Sequence, residues 1–296
     1  MKLGKLGIWT TVLDRHPAEV VREAASRIES MGYGAIWVGE AARREAFANS
    51  ALLLSATSRV VVATGIANIW ARDAMAMAAG QKTLAEAWGG RFLLGIGVSH
   101  DVLVNRRGHR YEHPLEAMRA YLDAMDAAPY DSPLPPEGSL VRVLAALGPK
   151  MLALAAERAD GAHPYFVPVE HTSFARGALG KGPLLCPEVA VVVEPDPTRA
   201  REVARNYMTP YLRLVNYRRN LERFGYKEED FQGGGSNRLV DAIVPWGDID
   251  KVEARLREHF DAGADHVAVQ VLTRDPSELP YETWEELARR IAVPTP

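Results

Sequence analysis

The sequence predicts an α/β fold, namely a (β/α)8 TIM barrel with a helical insertion near residues 198–240. Apolar segments alternate with amphipathic segments along a chain of 296 residues. The apolar segments are rich in Val, Ile, Leu and Ala throughout, which is typical of parallel strands that are buried on both faces. About eight such pairs fit within this length, as a barrel requires. An open, doubly wound sheet is the alternative.

The first half of the chain supplies four strand–helix pairs. Pro17 in the first turn and Gly32 or Gly34 near the exit bound the first helix. β-branched residues mark the third strand, and two glycines close the Ala- and Met-rich third helix. The expected strands are 3–10, 35–40, 59–68 and 91–98, and the expected helices are 16–34, 50–58, 71–90 and 113–128.

The second half repeats the unit after a proline-rich loop. The polar, aromatic-rich helical region from about Thr198 to Phe231 is longer than one barrel helix needs, so we interpret it as an inserted excursion that ends at a glycine-rich break. The expected strands are 140–147, 160–167, 187–195 and 265–272, and the other expected helices are 148–159, 170–179, 248–264 and 283–292.

Composition limits the class of protein. The chain is 25% charged with a net charge of −3 and has no disorder-like linker, so we expect one domain over residues 1–296 and no nucleic-acid or membrane partner. Cys186 is the one cysteine, which favours a reducing, cytoplasmic location. We see neither a signal peptide nor an apolar run of about 18 residues that could span a membrane.

The stretch RFLLGIGVSHD at 91–101 raises the question of a cofactor loop. Gly95 and Gly97 are followed by His100 instead of a third glycine, so the pattern is not a dinucleotide-binding fingerprint, and the chain has no P-loop motif. A metal site would use His100 with Asp101, or His109 with His113. We expect no metal, because the proline after His113 indicates that a helix begins there.

A barrel gives these residues a clearer place, because active sites of barrels lie at the carboxyl ends of the strands. Gly148 also ends a strand and opens a helix with Pro149, which predicts an anion site of backbone N–H groups. Lys150 adds charge there or is a solvated surface lysine. The residues at the expected strand ends are Trp9, Thr10, Gly39, Glu40, 65–68, 97–101, 147–150, 163–165 and 270–273.

Six segments, in order along nearly the whole chain, carry a family resemblance. They resemble the luciferase-like monooxygenase superfamily, and most of all its deazaflavin (coenzyme F420)-dependent oxidoreductase branch. The fold that this implies is again the (β/α)8 barrel. The segments are GYGAIWVGE at 32–40, the stretch 59–86, RFLLGIGVSHD at 91–101, and the stretches 107–125, 143–166 and 262–272.

The resemblance implies positions for the cofactor. A non-prolyl cis peptide at Gly65–Ile66 is expected to support the deazaflavin ring. The turn after the fifth strand is expected to hold the cofactor phosphate. The residues implied in ring and phosphate contacts are Gly65, Ile66, Val98, Ser99, Ala146, Leu147, Gly148 and Pro149.

The implied reaction is hydride transfer between the deazaflavin C5 and a small organic substrate. We predict that His100 is the catalytic acid or base, since an imidazole titrates near neutral pH. Glu40 is the second catalytic candidate. The alternatives are a loop histidine bonded to backbone and a salt bridge from Glu40 to Arg43 or Arg44.

The substrate pocket is expected to contain Trp9, Asn68, His163 and Tyr165. The chain departs from some sugar-phosphate dehydrogenases of the branch. Ala41 stands where they carry a histidine, and His100 stands where they carry an acidic residue. The sequence therefore leaves the substrate open.

Two other functions stay open. One is an FMN-dependent monooxygenase that a partner reductase supplies with reduced flavin, and the other is a non-catalytic flavin-binding paralogue. The resemblance also implies a homodimer. The Ala- and Met-rich face at 74–85 is suited to such a contact, and equally to packing on the barrel.

Overall fold

A computed structural model of the protein describes residues 1–291. All strand pairs in it are parallel, as the apolar segments predicted. The strands are β1 Leu6–Trp9, β2 Ala35–Val38, β3 Val61–Thr64, β4 Ala67–Asn68, β5 Phe92–Gly97, β6 Val141–Leu144, β7 Gly161–Ala162, β8 Leu184–Leu185, β9 Glu188–Val193, β10 Trp246–Gly247 and β11 Val267–Val271.

The sheet closes on itself through β8 and β9, which are two parts of one strand interrupted at Cys186 and Pro187. The Cys186 N–H donates to the Ala162 carbonyl at 2.9 Å and the Glu188 N–H to the Pro164 carbonyl at 2.8 Å, next to β7. β9 pairs with β11 on its other side, and the order β11-β1-β2-β3-β5-β6-β7 completes the circle. The predicted (β/α)8 barrel is confirmed, and the open doubly wound sheet is wrong.

The helices surround the barrel and several begin at a capping aspartate. The Asp73 carboxylate accepts from the Ala76 N–H at 2.8 Å, and the Asp248 carboxylate accepts from the Lys251 N–H at 3.0 Å. No helix within residues 1–291 is both long and apolar enough to cross a membrane. The α-helices are α1 Ala18–Ser30, α2 Ala46–Ser55, α3 Ala74–Ala87, α4 Asp101–Arg106, α5 Pro114–Asp126, α6 Pro149–Arg158, α7 Val169–Leu179, α8 Pro197–Tyr211, α9 Val215–Arg223, α10 Asn237–Ile243, α11 Ile249–Asp261 and α12 Tyr281–Ile291.

The helical insertion is present but is not one continuous helix. After α8 the Leu214 N–H donates to the Tyr211 carbonyl and closes a turn, so the chain bends before α9. Gly225, with φ +82°, ends α9, and a 3-10 helix at Glu228–Gly234 leads to α10. The bend lets α8 and α9 present aromatic side chains to the barrel mouth.

Two predicted strands are shorter than their apolar runs. The strand expected over 59–68 divides at Gly65 into β3 and β4. The strand expected over 160–167 is only β7, because Pro164 has no N–H to donate and Phe166 has φ +59°. Both interruptions lie at the carboxyl end of the barrel, where the chain turns toward the candidate site.

Helix boundaries also differ from the prediction. α2 begins before the expected 50–58 because the Glu45 carboxylate caps it by accepting from the Ala48 N–H at 2.7 Å. The short α4 was not expected. The last helix was expected over 283–292, and residues 292–296 lie outside the described residues.

The barrel interior is filled by side chains that support the mouth from below. The Trp37 indole is fully buried, stacks on the His163 ring at 4.4 Å between centroids, and donates to His266 Nε2 at 3.0 Å. His266 Nδ1 therefore carries the proton and donates to the Gly4 carbonyl at 3.0 Å. This layer fixes His163 below the strand ends.

Candidate active site

The end of β3 is held against the first strand at the barrel mouth. The Gly65–Ile66 peptide is cis, as the resemblance implied. The Gly65 carbonyl accepts from Trp9 Nε1 at 3.0 Å, and Trp9 is 5% exposed. The Trp9 and Tyr165 rings lie 5.0 Å apart, so both predicted pocket residues belong to the top layer of the barrel.

Glycine at 95 is required by the close approach of β3 and β5. A Cβ at this position would lie 1.9 Å from the Thr64 carbonyl oxygen. The Thr64 hydroxyl donates to the Gly95 carbonyl at 2.7 Å and accepts from the Gly95 N–H at 2.9 Å. The glycine therefore serves strand packing below the mouth, and it fixes where the Gly65–Ile66 peptide lies.

Glu40 is held by a buried arginine. The Arg72 guanidinium donates to both carboxylate oxygens, and the Asn68 N–H donates to one of them at 2.7 Å. The two side chains are 4% and 11% exposed. The expected salt-bridge partner was wrong, since Glu40 pairs with Arg72 and not with Arg43 or Arg44. The direct catalytic role of Glu40 stays a prediction, because the structure shows it anchoring β4.

His100 lies at the mouth, immediately before α4. Ser99 precedes it with φ +59°, a left-handed backbone that turns the chain, and the Val98 carbonyl accepts from Trp70 Nε1 at 3.0 Å. His100 Nδ1 is buried and has no hydrogen-bond partner within residues 1–291. Burial lowers the pKa of His100, opposed by Asn216 and Asp101, so the imidazole is neutral at pH 7.

His163 lies lower than the pocket prediction supposed. It is 1% exposed, and a Cβ on Gly65 would lie 2.8 Å from its Nε2. Its Nδ1 donates to the Cys186 carbonyl at 2.6 Å, which leaves Nε2 without a proton. Burial lowers the pKa of His163 to about 4. His163 supports the Gly65 peptide from below, and a contact with substrate stays a prediction.

The turn from β6 into α6 lies where the anion site was predicted, and anion binding there stays a prediction. Ala146 and Leu147 lead to Gly148. If Gly148 carried a Cβ, the Arg223 guanidinium would lie 4.0 Å from it, and no other atom of the described residues, its chain neighbours apart, would lie as close. The Leu152 N–H is the one that bonds back to the Gly148 carbonyl, at 3.0 Å. The backbone N–H groups of Lys150 and Met151, which precede it in α6, therefore have no partner within the helix.

Three side chains from other elements complete this turn. Arg223 donates to Asn220 Oδ1 at 2.9 Å and forms no ion pair with an acidic side chain of the described residues. His171 Nε2 donates to the Leu147 carbonyl at 2.9 Å. Burial, and secondarily Arg223, lowers the pKa of His171 to about 4. Of these three side chains only Arg223 is positively charged, since His171 is neutral, and Lys150 on the first turn of α6 is an exposed lysine.

The inserted helices cover the mouth with aromatic rings. Tyr217 from α9 lies 5.3 Å from the His100 ring and 5.2 Å from Phe166, measured between centroids. The Tyr165 hydroxyl lies 2.8 Å from the Tyr211 hydroxyl and donates to Gln270 Oε1 at 3.0 Å. This cover removes the site from bulk water.

Buried polar atoms without partners concentrate here. Of the eight such side-chain atoms within residues 1–291, five lie at the mouth, directly beneath it, or at the turn of residues 146–149, which we name the phosphate turn after its predicted ligand. A buried polar atom without a partner is costly in a native protein, so a cluster of them indicates a ligand site. The five atoms are Asn68 Nδ2, His100 Nδ1, His163 Nε2, His171 Nδ1 and Asn220 Nδ2.

Comparison with known proteins identifies the family. Residues 7–266 match the family model described as luciferase-like monooxygenase. The chain belongs to the luciferase-like monooxygenase family. A Mycobacterium tuberculosis protein named as a coenzyme F420-dependent oxidoreductase is 28% identical, over 94% of this chain and 96% of that protein.

Solved structures share the luciferase-like fold. The F420-dependent tetrahydromethanopterin reductase of Methanopyrus kandleri has a TM-score of 0.79 at 17% identity, covering 98% of this chain and 99% of that one. The oxygenating constituent of 3,6-diketocamphane monooxygenase from Pseudomonas putida, solved with FMN, has a TM-score of 0.72 at 17% identity, covering 98% of each chain. Together with the family, these relatives make the chain an oxidoreductase.

The sequence did not predict those residues of the site that lie far along the chain from the residues they contact. Arg72 and Arg223 are 32 and 75 residues from Glu40 and Gly148 in the numbering of the chain, and no local motif marks them. Tyr217 lies in the insertion, whose aromatic richness was the available signal. No cluster of three or more metal-ligating side chains occurs in residues 1–291.

Proposed function

We propose that the protein is a coenzyme F420-dependent oxidoreductase that transfers a hydride between the deazaflavin C5 and a small organic substrate. The observation that carries this proposal is the cluster of buried polar atoms without partners at the barrel mouth and at the phosphate turn. The named F420-dependent relative supports the choice of cofactor.

The donor set fits such a cofactor. The turn at Ala146, Leu147, Gly148 and Pro149 leads into the positive end of α6, where the N–H groups of Lys150 and Met151 can bind a phosphate because Pro149 itself has none. Arg223 adds a cation. The Gly65–Ile66 peptide, Val98 and Ser99 present backbone at the mouth, against which a flat ring would lie. When bound, the deazaflavin supplies the hydride chemistry.

The chain's own residues supply the proton. His100 is neutral and its Nδ1 is free to accept or hold a proton from the substrate. Trp9, Asn68 and Tyr165 lie at the same strand ends, and the Asn68 amide, whose Nδ2 has no partner within residues 1–291, can orient a polar group of the substrate. The aromatic cover excludes water, which strengthens these polar contacts.

An assay under nitrogen tests the proposed reaction. Purified protein with F420, in its oxidised and reduced forms, is offered a panel of alcohols, ketones and enones, and the deazaflavin absorbance is followed. Turnover without oxygen supports the proposal. Consumption of oxygen with reduced FMN, and no reaction with F420, would instead identify a two-component monooxygenase with a partner reductase.

The FMN alternative has one observation in its favour. The solved neighbour from Pseudomonas putida holds FMN on the same fold. A backbone turn with one arginine holds the phosphate of either cofactor, so the phosphate turn itself favours neither. A protein that binds a flavin and turns over nothing would be the non-catalytic paralogue.

Assembly and location are also proposals. We propose a single domain in the cytoplasm that acts as a homodimer through the face at 74–85. Met77 and Ala78 of this face are buried against the barrel, whereas Met75 is 55% exposed. Sedimentation of the wild type and of Met75→Glu tests the dimer, since the added charge should dissociate it.

A further inference from the structure

Gln270, near the end of β11, faces the interior of the barrel at the level of the mouth. Alternate residues of a barrel strand point inward. His266 accepts from the interior Trp37 indole, and Ala268 packs in the interior cluster that contains Trp37. Gln270 therefore belongs to the layer above them. Ala268 is fully buried whereas Gln270 is half-buried, so the open part of its side chain faces the mouth.

Two phenols determine which end of the Gln270 amide is left for a ligand. The Tyr165 hydroxyl donates to Gln270 Oε1 at 3.0 Å. A phenol has one proton to donate, so Tyr211 is the donor in the 2.8 Å contact between the Tyr165 and Tyr211 hydroxyls. Gln270 Oε1 is thereby occupied. Gln270 Nε2, with two N–H groups, has no hydrogen-bond partner within residues 1–291.

Asn68, at the end of β4, repeats this arrangement. Its Oδ1 accepts from the Trp70 N–H at 2.9 Å, and its Nδ2 is buried without a partner among the described residues. In both Asn68 and Gln270, groups of the protein occupy the amide oxygen and the amide nitrogen is left over. A ligand satisfies such nitrogens with atoms that accept hydrogen bonds.

We propose that Gln270 is a specificity-determining residue that selects a carbonyl compound as the substrate. Its Nε2 donates to the carbonyl oxygen of a ketone or enone, which can only accept. An amine or ammonium group in the same place would face a second donor and leave both unpaired, so the site discriminates against it. This inference rests on the proposed function and names its substrate class.

Tyr165 is the competing donor, and the test has to separate it from Gln270. The Tyr165 proton is used on Gln270 Oε1, so removal of that acceptor would release the proton for a ligand. Gln270→Met alone therefore replaces one donor by another. The decisive comparison is Y165F with the double variant Y165F/Q270M, because neither contains the phenol proton.

The experiment compares two probes of the same shape in F420-loaded protein. Cyclohexanone carries a carbonyl oxygen, and methylenecyclohexane carries a CH2 group in its place and accepts no hydrogen bond. Their equilibrium affinities are measured through the deazaflavin fluorescence. We expect the wild type and Y165F to prefer cyclohexanone, and the preference to fall roughly fivefold from Y165F to Y165F/Q270M, as for one hydrogen bond.

The hydrocarbon probe detects general distortion of the mouth. Its affinity should be the same in Y165F and Y165F/Q270M, since it makes no hydrogen bond that the substitution removes. Gln232→Met, at an exposed glutamine of the insertion, should keep the wild-type preference. An equal preference in Y165F and Y165F/Q270M would overturn the proposal. Loss of the preference already in Y165F would also overturn it, because Tyr165 would then be the donor.

An infrared measurement decides the question if the double variant does not fold. The C=O band of isotope-labelled cyclohexanone bound to Y165F should lie at lower wavenumber than in cyclohexane solution, because a donor other than Tyr165 bonds to the oxygen. A band at the cyclohexane position would contradict the proposal.

Failure of the inference is distinguishable from failure of the proposed function. F420 binding to the wild type is measured first, and its absence removes the proposed function. The same two probes are then titrated by calorimetry into cofactor-free Y165F and Y165F/Q270M, where the same loss of preference is expected. A protein that binds F420 and shows no preference for cyclohexanone, or one that binds neither probe in either form, overturns the inference.

Discussion

Arg72 holds Glu40 by both carboxylate oxygens directly beneath the β4 segment that carries Asn68. This ion pair is almost fully buried, whereas the pair of Arg119 with Glu157 is about half exposed. Removing one partner of a buried pair leaves an uncompensated charge, which costs far more than loss of an exposed pair. The two pairs therefore provide a matched comparison.

Arg72→Ala should lower the free energy of unfolding by about 3–5 kcal/mol, because Glu40 is left buried and unpaired. Arg119→Ala should change it little, because solvent screens that exposed pair. Urea denaturation followed by circular dichroism measures both. Equal, small changes in the free energy of unfolding for the two substitutions would show that Arg72 does not stabilise the buried Glu40 carboxylate.

Arg223→Ala should weaken binding of a phosphate-bearing cofactor by roughly tenfold or more, since a charge-assisted hydrogen bond is worth about 1.5–3 kcal/mol. Arg219→Ala is the control, because Arg219 is an exposed arginine on the same helix. Fluorescence titration with F420 compares the two variants. If Arg223→Ala binds F420 as tightly as Arg219→Ala does, Arg223 does not contribute to binding of the cofactor phosphate.

His100→Ala should reduce turnover by roughly 10²–10⁴-fold and leave cofactor binding largely unchanged, because His100 is proposed to move a proton. His109→Ala, an exposed histidine of the following loop, should keep wild-type turnover. The wild-type rate should also fall in acid only below pH 6.5, where His100 becomes protonated, since burial lowers the pKa of His100. Full turnover by His100→Ala would refute the assignment.

Four buried histidines should make the fold sensitive to acid. Burial lowers the pKa of His163, His171 and His266 to about 4 and that of His259 to about 3, against 6.5 unfolded. Because the pKa is lower in the folded state, the unfolded chain binds more protons between pH 4 and pH 6.5. The stability contributed by the neutral histidines is therefore fully present above pH 6.5 and is lost as the pH falls toward 4.

His259→Gln tests this contribution at one site. His259 bonds to the Thr172 hydroxyl at 2.8 Å and is not itself among the residues placed at the mouth or at the Gly148 turn. We expect the free energy of unfolding of the variant to fall less steeply between pH 6.5 and 4 than that of the wild type. Denaturant titrations at a series of pH values measure both slopes, and identical slopes would count against the buried-histidine account.

The fold and the family could be predicted from the sequence because both depend on local patterns. Alternating apolar and amphipathic segments define the strands and helices, and the glycine pattern around Gly65 and Gly95 marks the close approach of β3 and β5. The cis Gly65–Ile66 peptide was implied by the family resemblance, and the turn at Gly148 was predicted from one short segment; the structure has both at those residues.

The rest could not be predicted because it depends on contacts between distant elements. Arg223 reaches Gly148 only after α9 folds back over the mouth, and Arg72 reaches Glu40 across two strand ends. The depth of His163 likewise follows from its stacking on Trp37.

The central claim is that the mouth and the Gly148 turn bind a deazaflavin. A paired fluorescence titration of the cofactor-free protein with F420 and with FMN tests it most directly. We predict saturable binding of F420, with FMN much weaker. Preference for FMN would contradict the claim and favour the monooxygenase, and binding of neither would contradict the assignment of the site.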